Sequence, residues 1–273
     1  MNNRDCCPLC NYNKNRIIHN LKIDQKFIDF IETYYGKKSY HLISNFLEKD
    51  IQYIQCHRCE LIYQKNILDD DGMYALYEDL IDPVKSLNKR LALTVKQNFR
   101  GVFLLFNLIK KINKPMREIT IVDIGMGFGN MLSYCKALGC TKSYGVEVSK
   151  RRIEYAKENF GVSSFDSLEN FENNSVDIVL SNQSLENISN VRETLDLIEK
   201  KLIIGGLVYI AVPNSSKEKI FLKKGAMQPL EHINSFLLKS KLFIFSKKMK
   251  YQFMFKNLRP GSGTIWLFKK IRE

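Results

Sequence analysis

The chain has 273 residues and a mass of 31.9 kDa, the size of one large domain or of a medium domain with a small appendage. Hydrophobic residues make up 45% and charged residues 26% of it, which excludes a fibrous or a disordered protein. The most apolar stretch, Gly101 to Ile109, is far shorter than the ~20 residues of a membrane span, and the polar N-terminus lacks a secretory signal. We therefore expect a cytoplasmic protein without a membrane span.

The formal net charge of +13 is concentrated towards the C-terminus, where residues 214–273 contain 14 basic and 3 acidic residues. A basic surface attracts phosphates, nucleic acids and anionic membranes. The alternative explanation is compositional, because the whole chain is rich in Lys, Asn and Ile. The sequence leaves both explanations open.

Two Cys-x-x-Cys pairs, Cys7 with Cys10 and Cys56 with Cys59, lie in the first sixty residues. In each pair a tight turn brings two thiolates within reach of one ion, so two pairs complete the tetrahedral shell of a structural Zn²⁺. The intervening residues 11–55 exceed the ~15–20 of common zinc ribbons, and their amphipathic pattern predicts an inserted helix. Disulfides are the rival interpretation, although nothing in the sequence indicates export.

The pattern of the chain changes near residue 118. A helical periodicity runs from Pro83 to Lys114, and short β-branched strands then alternate with helices from Ile119 to Val212. This alternation predicts an α/β fold, a Rossmann-like, doubly wound and mostly parallel sheet with a C-terminal antiparallel hairpin. We divide the chain into a zinc-ribbon-like unit with a helical insert (1–68), a helical connector that covers the substrate side (69–117) and an α/β domain (118–273).

A glycine-rich loop follows the first strand of this domain and contains Asp123, Gly125, Gly127 and Gly129. Glycines let a ligand approach the backbone at the carboxyl end of a sheet. The spacing departs from the G-x-G-x-x-G of dinucleotide sites, and Asp123 would repel a pyrophosphate but not an ammonium or a sulfonium group. Glu147, at the end of the second strand, is placed to accept both ribose hydroxyls of a nucleoside.

With these residues the chain resembles the class I S-adenosylmethionine-dependent methyltransferases. The resemblance covers about Ile119 to Lys270, and the further matching segments are Asn174–Val179, Gln183–Ile188, Leu202–Leu207, Val212–Asn214 and Glu231–Ile233. The two cysteine pairs are similar to the zinc-ribbon start of a bacterial subgroup that is associated with modification of sugars and surface polysaccharides.

The resemblance implies that the cofactor residues lie at the ends of four strands. They are Asp123, Gly125 and Gly127 for the methionine part, Glu147 for the ribose, Asp166 and Ser167 for the adenine, and Asn182 beside the sulfonium. His232 is the candidate catalytic base for a hydroxyl acceptor, because histidine titrates near neutral pH.

Two departures from the family affect the expected reaction. Asn187 replaces the family's His after Leu-Glu, and the sugar C-methyltransferases of the subgroup carry a further C-terminal domain that has no counterpart here. We therefore expect O- or N-methylation. The segment from Asn214 to Ser235 is expected to form a lid that attracts an anionic acceptor through Lys217, Lys219, Lys223 and Lys224.

Together these observations predict an enzyme that methylates a small anionic or carbohydrate acceptor, such as a sugar or a surface-polysaccharide precursor. One alternative is a zinc-ribbon RNA-binding protein or RNA methyltransferase, in which the basic C-terminal residues contact nucleic acid. A second alternative is a non-catalytic cofactor-binding scaffold, because Asn187 stands where the family has a histidine. The sequence does not indicate an oligomeric state.

Overall fold

The computed structural model describes residues 1–37, 39–81, 84, 87–88, 91–213, 228–240, 244, 251–258 and 264–271. The chain divides into two compact units. Unit 1 consists of Met1–Asp82, Glu186–Arg192 and Pro213–Ile244, and unit 2 consists of Pro83–Leu185, Glu193–Val212 and Phe245–Glu273. Within the described ranges, no helix is long and apolar enough to cross a membrane.

Helices and strands are numbered in chain order through both units. The helices with described bounds are α1 (Gln25–Tyr35), α2 (Ser39–Ile43), α3 (Asp70–Ala75), α4 (Val95–Ile109), α5 (Asn130–Ala137), α6 (Lys150–Phe160) and α7 (Val191–Lys201). The strands are β1 (Asn2–Asn3), β2 (Asn15–Leu21), β3 (Ile51–Cys56), β4 (Ile62–Gln64), β5 (Asn66–Ile67), β6 (Thr120–Ile124), β7 (Lys142–Val146), β8 (Ser163–Phe165), β9 (Val176–Asn182), β10 (Leu202–Val212), β11 (Asn234–Ser235), β12 (Tyr251–Leu258) and β13 (Thr264–Lys270).

Unit 2 is built on a seven-stranded sheet with the order β12-β13-β10-β9-β6-β7-β8. The strands from β10 to β8 are parallel, and β13 pairs antiparallel with β10 and β12. The chain runs from β6 through β7 to β8 at one edge of the sheet, and it then returns to β9 on the other side of β6. In such sheets ligands bind at the carboxyl ends of the strands where the order reverses, which here are β6 and β9.

The core of unit 2 lies between the sheet and its helices. Apolar residues of α4 recur three or four positions apart, and Leu105, Leu108 and Ile109 are buried against strand residues such as Ile121 and Ile178. A capping box fixes the start of this helix, which stabilises it by ~1 kcal/mol. The core therefore anchors the two strands at the reversal point.

Unit 1 contains the four-stranded antiparallel sheet β11-β4-β3-β2. Helix α1 begins at Asp24, whose side chain accepts a hydrogen bond from Phe27 N at 3.1 Å. Its buried residues Phe27 and Ile31 belong to the same apolar cluster as Ile51 and Tyr53 of β3. The two-residue strand β11 pairs with β4, so a late segment of the chain completes the sheet that the N-terminal residues begin.

The mostly parallel, Rossmann-like sheet with helices is confirmed, and the antiparallel C-terminal pair is β12 with β13. The predicted helix between the cysteine pairs is α1, but the sequence analysis did not identify the strands β2 and β3 on either side of it. The domain boundaries remain a prediction; in the structure, Glu186–Arg192 and Pro213–Ile244 group with the N-terminal residues.

Candidate cofactor site and metal centre

The loop between β6 and α5 contains three glycines in the left-handed region, with φ of 66° at Gly125, 56° at Gly127 and 78° at Gly129. Gly125 N donates to the carbonyl oxygen of Val146 at 2.8 Å, which ties the loop to β7. A Cβ atom at Gly125 would lie 2.5 Å from Ser184 Oγ, whereas one at Gly127 would meet no atom within 4 Å. Gly125 is therefore required by packing, and Gly127 borders open space that a ligand can occupy.

Glu147, directly after β7, is buried and held by backbone donors. Its Oε2 accepts from Gly127 N at 2.9 Å, and its Oε1 accepts from Val148 N and Ser149 N at 3.0 and 3.1 Å. Arg152 Nη1 lies 4.0 Å from Oε2. The three backbone donors fix the orientation of the Glu147 carboxylate. Because a carboxylate has about four acceptor positions, it keeps capacity for ligand hydroxyls.

The ends of β6 and β9 bring three further polar residues together. Asp123 is buried in β6, and the residue after it pairs in register with Ser181 of β9. Among the residues that the structure describes, the buried Ser181 Oγ has no hydrogen-bond partner. Asn182 follows at the end of the strand and is half-buried, and Ser184 Oγ donates to the carbonyl oxygen of Ile124 at 2.8 Å. A buried hydroxyl without a partner among the described residues, at the carboxyl end of a strand, is consistent with a ligand site.

Asp166 and Ser167 directly follow β8, at the neighbouring strand end. Ser167 Oγ accepts from Glu169 N at 3.1 Å. The side-chain amide nitrogen of Asn170 faces both residues. It donates to Asp166 Oδ1 at 3.0 Å and to the Ser167 carbonyl oxygen at 2.7 Å. The structure thus brings all the residues predicted for the cofactor to the carboxyl ends of four adjacent strands in unit 2.

The four predicted metal ligands form a closed cluster in unit 1. Cys7 Sγ lies 3.5 Å from Cys59 Sγ, and Cys10 Sγ lies 3.5 Å from Cys56 Sγ. All four sulfur atoms lie within 4.8 Å of one another, and all four side chains are buried. Zn–S bonds of ~2.3 Å place tetrahedral thiolates ~3.8 Å apart, so the cluster has the dimensions and donor set of a zinc site.

Each cysteine pair is held in a tight turn that ends in a left-handed residue. Asn11 N donates to the Cys7 carbonyl oxygen at 2.9 Å, and φ of Asn11 is 55°. Glu60 N donates to the Cys56 carbonyl oxygen at 3.0 Å, and φ of Glu60 is 58°. Arg58 N donates a hydrogen bond to Cys56 Sγ at 3.4 Å. The two turns are thus similar, although their sequences differ.

The thiols strongly perturb one another. Contacts with Cys10, Cys59 and Cys7 lower the pKa of Cys56, whereas contacts with Cys10, Cys56 and Cys7 and burial raise the pKa of Cys59. Four thiols this close cannot all ionise unless a cation balances their charge.

His232 lies in unit 1 and is half-buried. Its backbone N donates to the Gln228 carbonyl oxygen at 3.1 Å, and the turn includes Leu230 with φ of 75°. Tyr34 Oη donates to Gln228 Oε1 at 2.9 Å. The predicted base therefore lies in a turn, and Tyr34 of α1 contacts the same turn through Gln228. The lysines predicted to form a lid, at 217, 219, 223 and 224, lie outside the described residues.

Glu186 is a buried acid that the sequence analysis did not single out. It is 1% exposed, and neither carboxyl oxygen has a hydrogen-bond partner within the described part of the chain. Burial and the nearby Glu231 raise its pKa to about 8. The sequence showed only an acid after Leu185, a pattern that is common at exposed positions, so its burial could not be inferred.

The comparison with protein families matches residues 96–241, just over half of the chain, to a model described as Methyltransferase domain. A curated relative, the Ubiquinone biosynthesis O-methyltransferase, mitochondrial, of Dictyostelium discoideum, is 26% identical over 123 residues. That match covers 38% of this chain and 38% of the relative.

Solved structures show the same fold at low sequence identity. A SAM dependent methyltransferase from Aquifex aeolicus is 17% identical with a TM-score of 0.50, over 70% of this chain and 99% of that chain. A putative methyltransferase from Methanococcus maripaludis is 18% identical with a TM-score of 0.50, over 70% and 94%. The CurJ carbon methyltransferase is 14% identical with a TM-score of 0.50, over 75% and 59%.

Proposed function

The chain belongs to the Methyltransferase domain family, and on that basis we propose that it transfers a methyl group from S-adenosylmethionine to a small-molecule acceptor. The observation that carries the proposal is the pairing of Gly127 with Glu147. The glycine borders open space, and its N–H holds the carboxylate in place at 2.9 Å. A nucleoside needs a bare stretch of backbone to approach and a fixed carboxylate for its ribose hydroxyls.

The remaining residues at the strand ends complete a site for this cofactor. Asp123, which is buried, would face the ammonium group, Asn182 and Ser181 would offer polar contacts near the sulfonium, and Asp166 with Ser167 would border the adenine. When bound, S-adenosylmethionine would supply the methyl group, with sulfur keeping the electron pair of the S–CH₃ bond and the acceptor atom gaining the bond to carbon. The protein contributes mainly alignment and exclusion of water.

We assign His232 as the base for a hydroxyl acceptor. When the acceptor oxygen is methylated, the imidazole would take up the hydroxyl proton, a role that suits histidine because this side chain ordinarily titrates near neutral pH. If His232 has this role, His232→Gln lowers the turnover number while the Kd for the cofactor stays unchanged. The acceptor class that we favour is a carbohydrate, and the name of the Dictyostelium relative supports O-methylation.

Calorimetric titration of S-adenosylmethionine into the full-length protein tests the cofactor site. Glu147→Gln and Asp123→Asn keep the side-chain shapes but remove charges that accept hydrogen bonds, so each should weaken binding ~10- to 100-fold. Glu158→Gln removes the same charge from an exposed position of α6 and is the control. An unmeasurable affinity in the wild-type protein would refute the proposal.

The alternatives predict different results. An RNA-binding protein would retain RNA in a strongly salt-dependent way. This alternative rests on the charge of residues 214–273, half of which lie outside the described part of the chain. A non-catalytic scaffold would bind the cofactor but release no S-adenosylhomocysteine with any fraction of a cell extract.

We also propose that Cys7, Cys10, Cys56 and Cys59 bind a structural Zn²⁺. Four thiolates leave no open coordination position, so the ion would stabilise unit 1 and take no part in the reaction. Metal analysis should find about one zinc per chain, and Cys56→Ser should release it. Cys6→Ser is the matched control, because Cys6 adjoins the cluster in sequence but is not part of it. Full zinc content in Cys56→Ser would contradict this assignment.

A further inference from the structure

One face of α4 exposes large apolar side chains. Val95, Phe99 and Phe103 are 87%, 66% and 57% exposed, and their spacing of four residues aligns them along the helix as an apolar ridge. The rings of Phe99 and Phe103 stack with their centroids 6.1 Å apart, and these two rings alone leave ~250 Å² of apolar surface in water. With Val95 the ridge approaches the ~300–600 Å² of the largest apolar patch on a typical protein, which is often functional.

The fold of unit 2 holds the apolar ridge in place. Leu105, Leu108 and Ile109, on the opposite face of α4, are buried in the core, and the capping box at Thr94 fixes the start of the helix. Because 3.6 residues make one turn, the ridge points away from these buried residues. The helix is thus anchored through one face and presents the other as a preformed surface.

The charges around the apolar ridge have one sign. Lys96 and Arg100 directly follow two residues of the ridge and are exposed. Residues 83–117, which include all of α4, contain nine basic residues and no acidic one. Two of the nine, Lys114 and Arg117, have acidic partners outside this segment, which leaves the segment strongly basic. Charge complementarity therefore requires that a partner for the ridge be anionic.

We infer that α4 docks on an anionic lipid surface, with the apolar ridge in the headgroup region and Lys96 and Arg100 beside the lipid phosphates. Helices that lie in a membrane interface combine a face of Phe, Leu or similar residues with Lys and Arg, and each cation near anionic headgroups strengthens binding. The ridge extends ~12 Å along the helix axis, so α4 would lie parallel to the surface. This contact is peripheral and inserts only side chains.

Three other occupants fit these features less well. A second copy of the chain would place the same basic segment against itself, and like charges across an interface oppose binding. Single-stranded RNA stacks its bases on aromatic rings, but Val95 and the 65% exposed Leu91 have no ring. A protein groove that receives a helix encloses much of it, and the core of unit 2 already occupies one face of α4. A lipid surface accepts aliphatic and aromatic side chains alike.

Co-sedimentation with vesicles measures the contact. The full-length protein should bind vesicles of equal parts phosphatidylglycerol and phosphatidylcholine ~10-fold or more tightly than vesicles of phosphatidylcholine alone. The affinity for the anionic vesicles should fall as the salt concentration rises from ~0.1 to ~1 M, because salt screens the cations.

Substitutions separate the apolar and the charged contributions. Phe99→Ala should weaken binding to anionic vesicles ~10-fold or more, and Tyr74→Ala, which removes another exposed aromatic ring, is its control. Lys96→Gln combined with Arg100→Gln should weaken it by a similar factor and reduce the salt dependence. The matched control, Lys142→Gln combined with Lys157→Gln, removes two exposed charges elsewhere in unit 2. Both controls should bind as wild type.

A tryptophan on the apolar ridge reports whether the ridge enters the lipid. Phe99→Trp should keep vesicle binding, and anionic vesicles should shift its emission to shorter wavelength. The native Trp266 is 1% exposed and should not respond. Titration of S-adenosylmethionine into the same variants reports separately on the proposed function, because none of the proposed cofactor residues lies in α4.

Several results would overturn the inference. They are the absence of binding to anionic vesicles, equal binding to both vesicle types, and Phe99→Ala binding as tightly as wild type. A dimer in analytical ultracentrifugation, or binding of poly(U), that Phe99→Ala abolishes while vesicle binding persists would assign the ridge to self-association or to RNA instead.

Discussion

Replacing Glu186 by Gln should make the protein more stable at neutral pH. The pKa of this carboxyl group rises from 4.5 to about 8 in the fold because the side chain is buried and faces Glu231. The folded state therefore favours the protonated form. The stability that this form contributes is fully present below pH 4.5 and is lost as the pH rises through about 8.

The magnitude follows from the two pKa values. A difference of ~3.5 units corresponds to ~5 kcal/mol at most, since one unit is 1.36 kcal/mol. At pH 7 the unfolded carboxyl group is ionised and the folded one is still mostly protonated, which amounts to ~3 kcal/mol of lost stability relative to pH 4. Glutamine keeps the shape of the protonated acid but has no proton to lose, so Glu186→Gln should be more stable than wild type by ~1 kcal/mol at pH 5, ~3 kcal/mol at pH 7 and ~4 kcal/mol at pH 8.

Urea unfolding followed by circular dichroism at pH 5, 6, 7 and 8 measures this difference. The fluorescence of Trp266, the single tryptophan, reports on unit 2 alone and identifies which unit responds. Glu158→Gln, which removes an exposed charge, should show no comparable pH dependence. A free-energy difference between Glu186→Gln and wild type that stays constant from pH 5 to 8 would refute the argument, because it would mean that Glu186 titrates normally in the fold.

Four further substitutions test packing, cofactor binding, backbone strain and a buried ion pair. Gly125→Ala should lower the melting temperature more than Gly127→Ala, because both have positive φ but only the Cβ at Gly125 would lie 2.5 Å from a serine oxygen; Gly127→Ala should mainly weaken cofactor binding, measured by calorimetry. Glu60→Gly should stabilise the protein by up to ~1 kcal/mol in urea unfolding, since φ is 58° there. Asp177→Asn should destabilise unit 2 by ~1–3 kcal/mol in the same assay, because the buried carboxylate accepts from Lys114 Nζ at 2.6 Å.

The parts of the structure that follow from short sequence patterns could be predicted. Alternating apolar strands and helices specify the parallel sheet, and the glycine loop with Glu147 places the cofactor residues at its carboxyl edge. Cys-x-x-Cys spacing specifies two similar turns. Glu60 shows where the pattern is imperfect, because the turn keeps its left-handed residue without the glycine that would adopt it at least cost.

The parts that depend on distant residues could not be predicted. Strand β11 is two residues long and pairs with β4, about 170 residues earlier in the chain, and a two-residue strand has no periodicity to detect. The burial of Glu186 depends on the same long-range assembly of unit 1. Local patterns treat an acid in a short turn as exposed, because buried acids are rare.

Arg4 explains how three distant segments can form one unit. Its guanidinium donates to the Gln64 carbonyl oxygen in β4, to the Ile233 carbonyl oxygen at 2.9 Å, to Asn234 Oδ1 at 2.9 Å and to the Ser189 carbonyl oxygen at 3.3 Å. Its Cζ atom also lies over the ring of Tyr63, 5.2 Å from the ring centroid.

The guanidinium of Arg4 is buried, which lowers its pKa to about 9. Its charge is costly to bury, and neutral oxygen atoms satisfy its hydrogen bonds. Because these bonds fix Ser189 and Asn234, they also fix the segment of Glu186. The position of the segment that carries the buried Glu186 therefore depends on a residue three positions before Cys7, and the cysteine cluster belongs to the same unit 1.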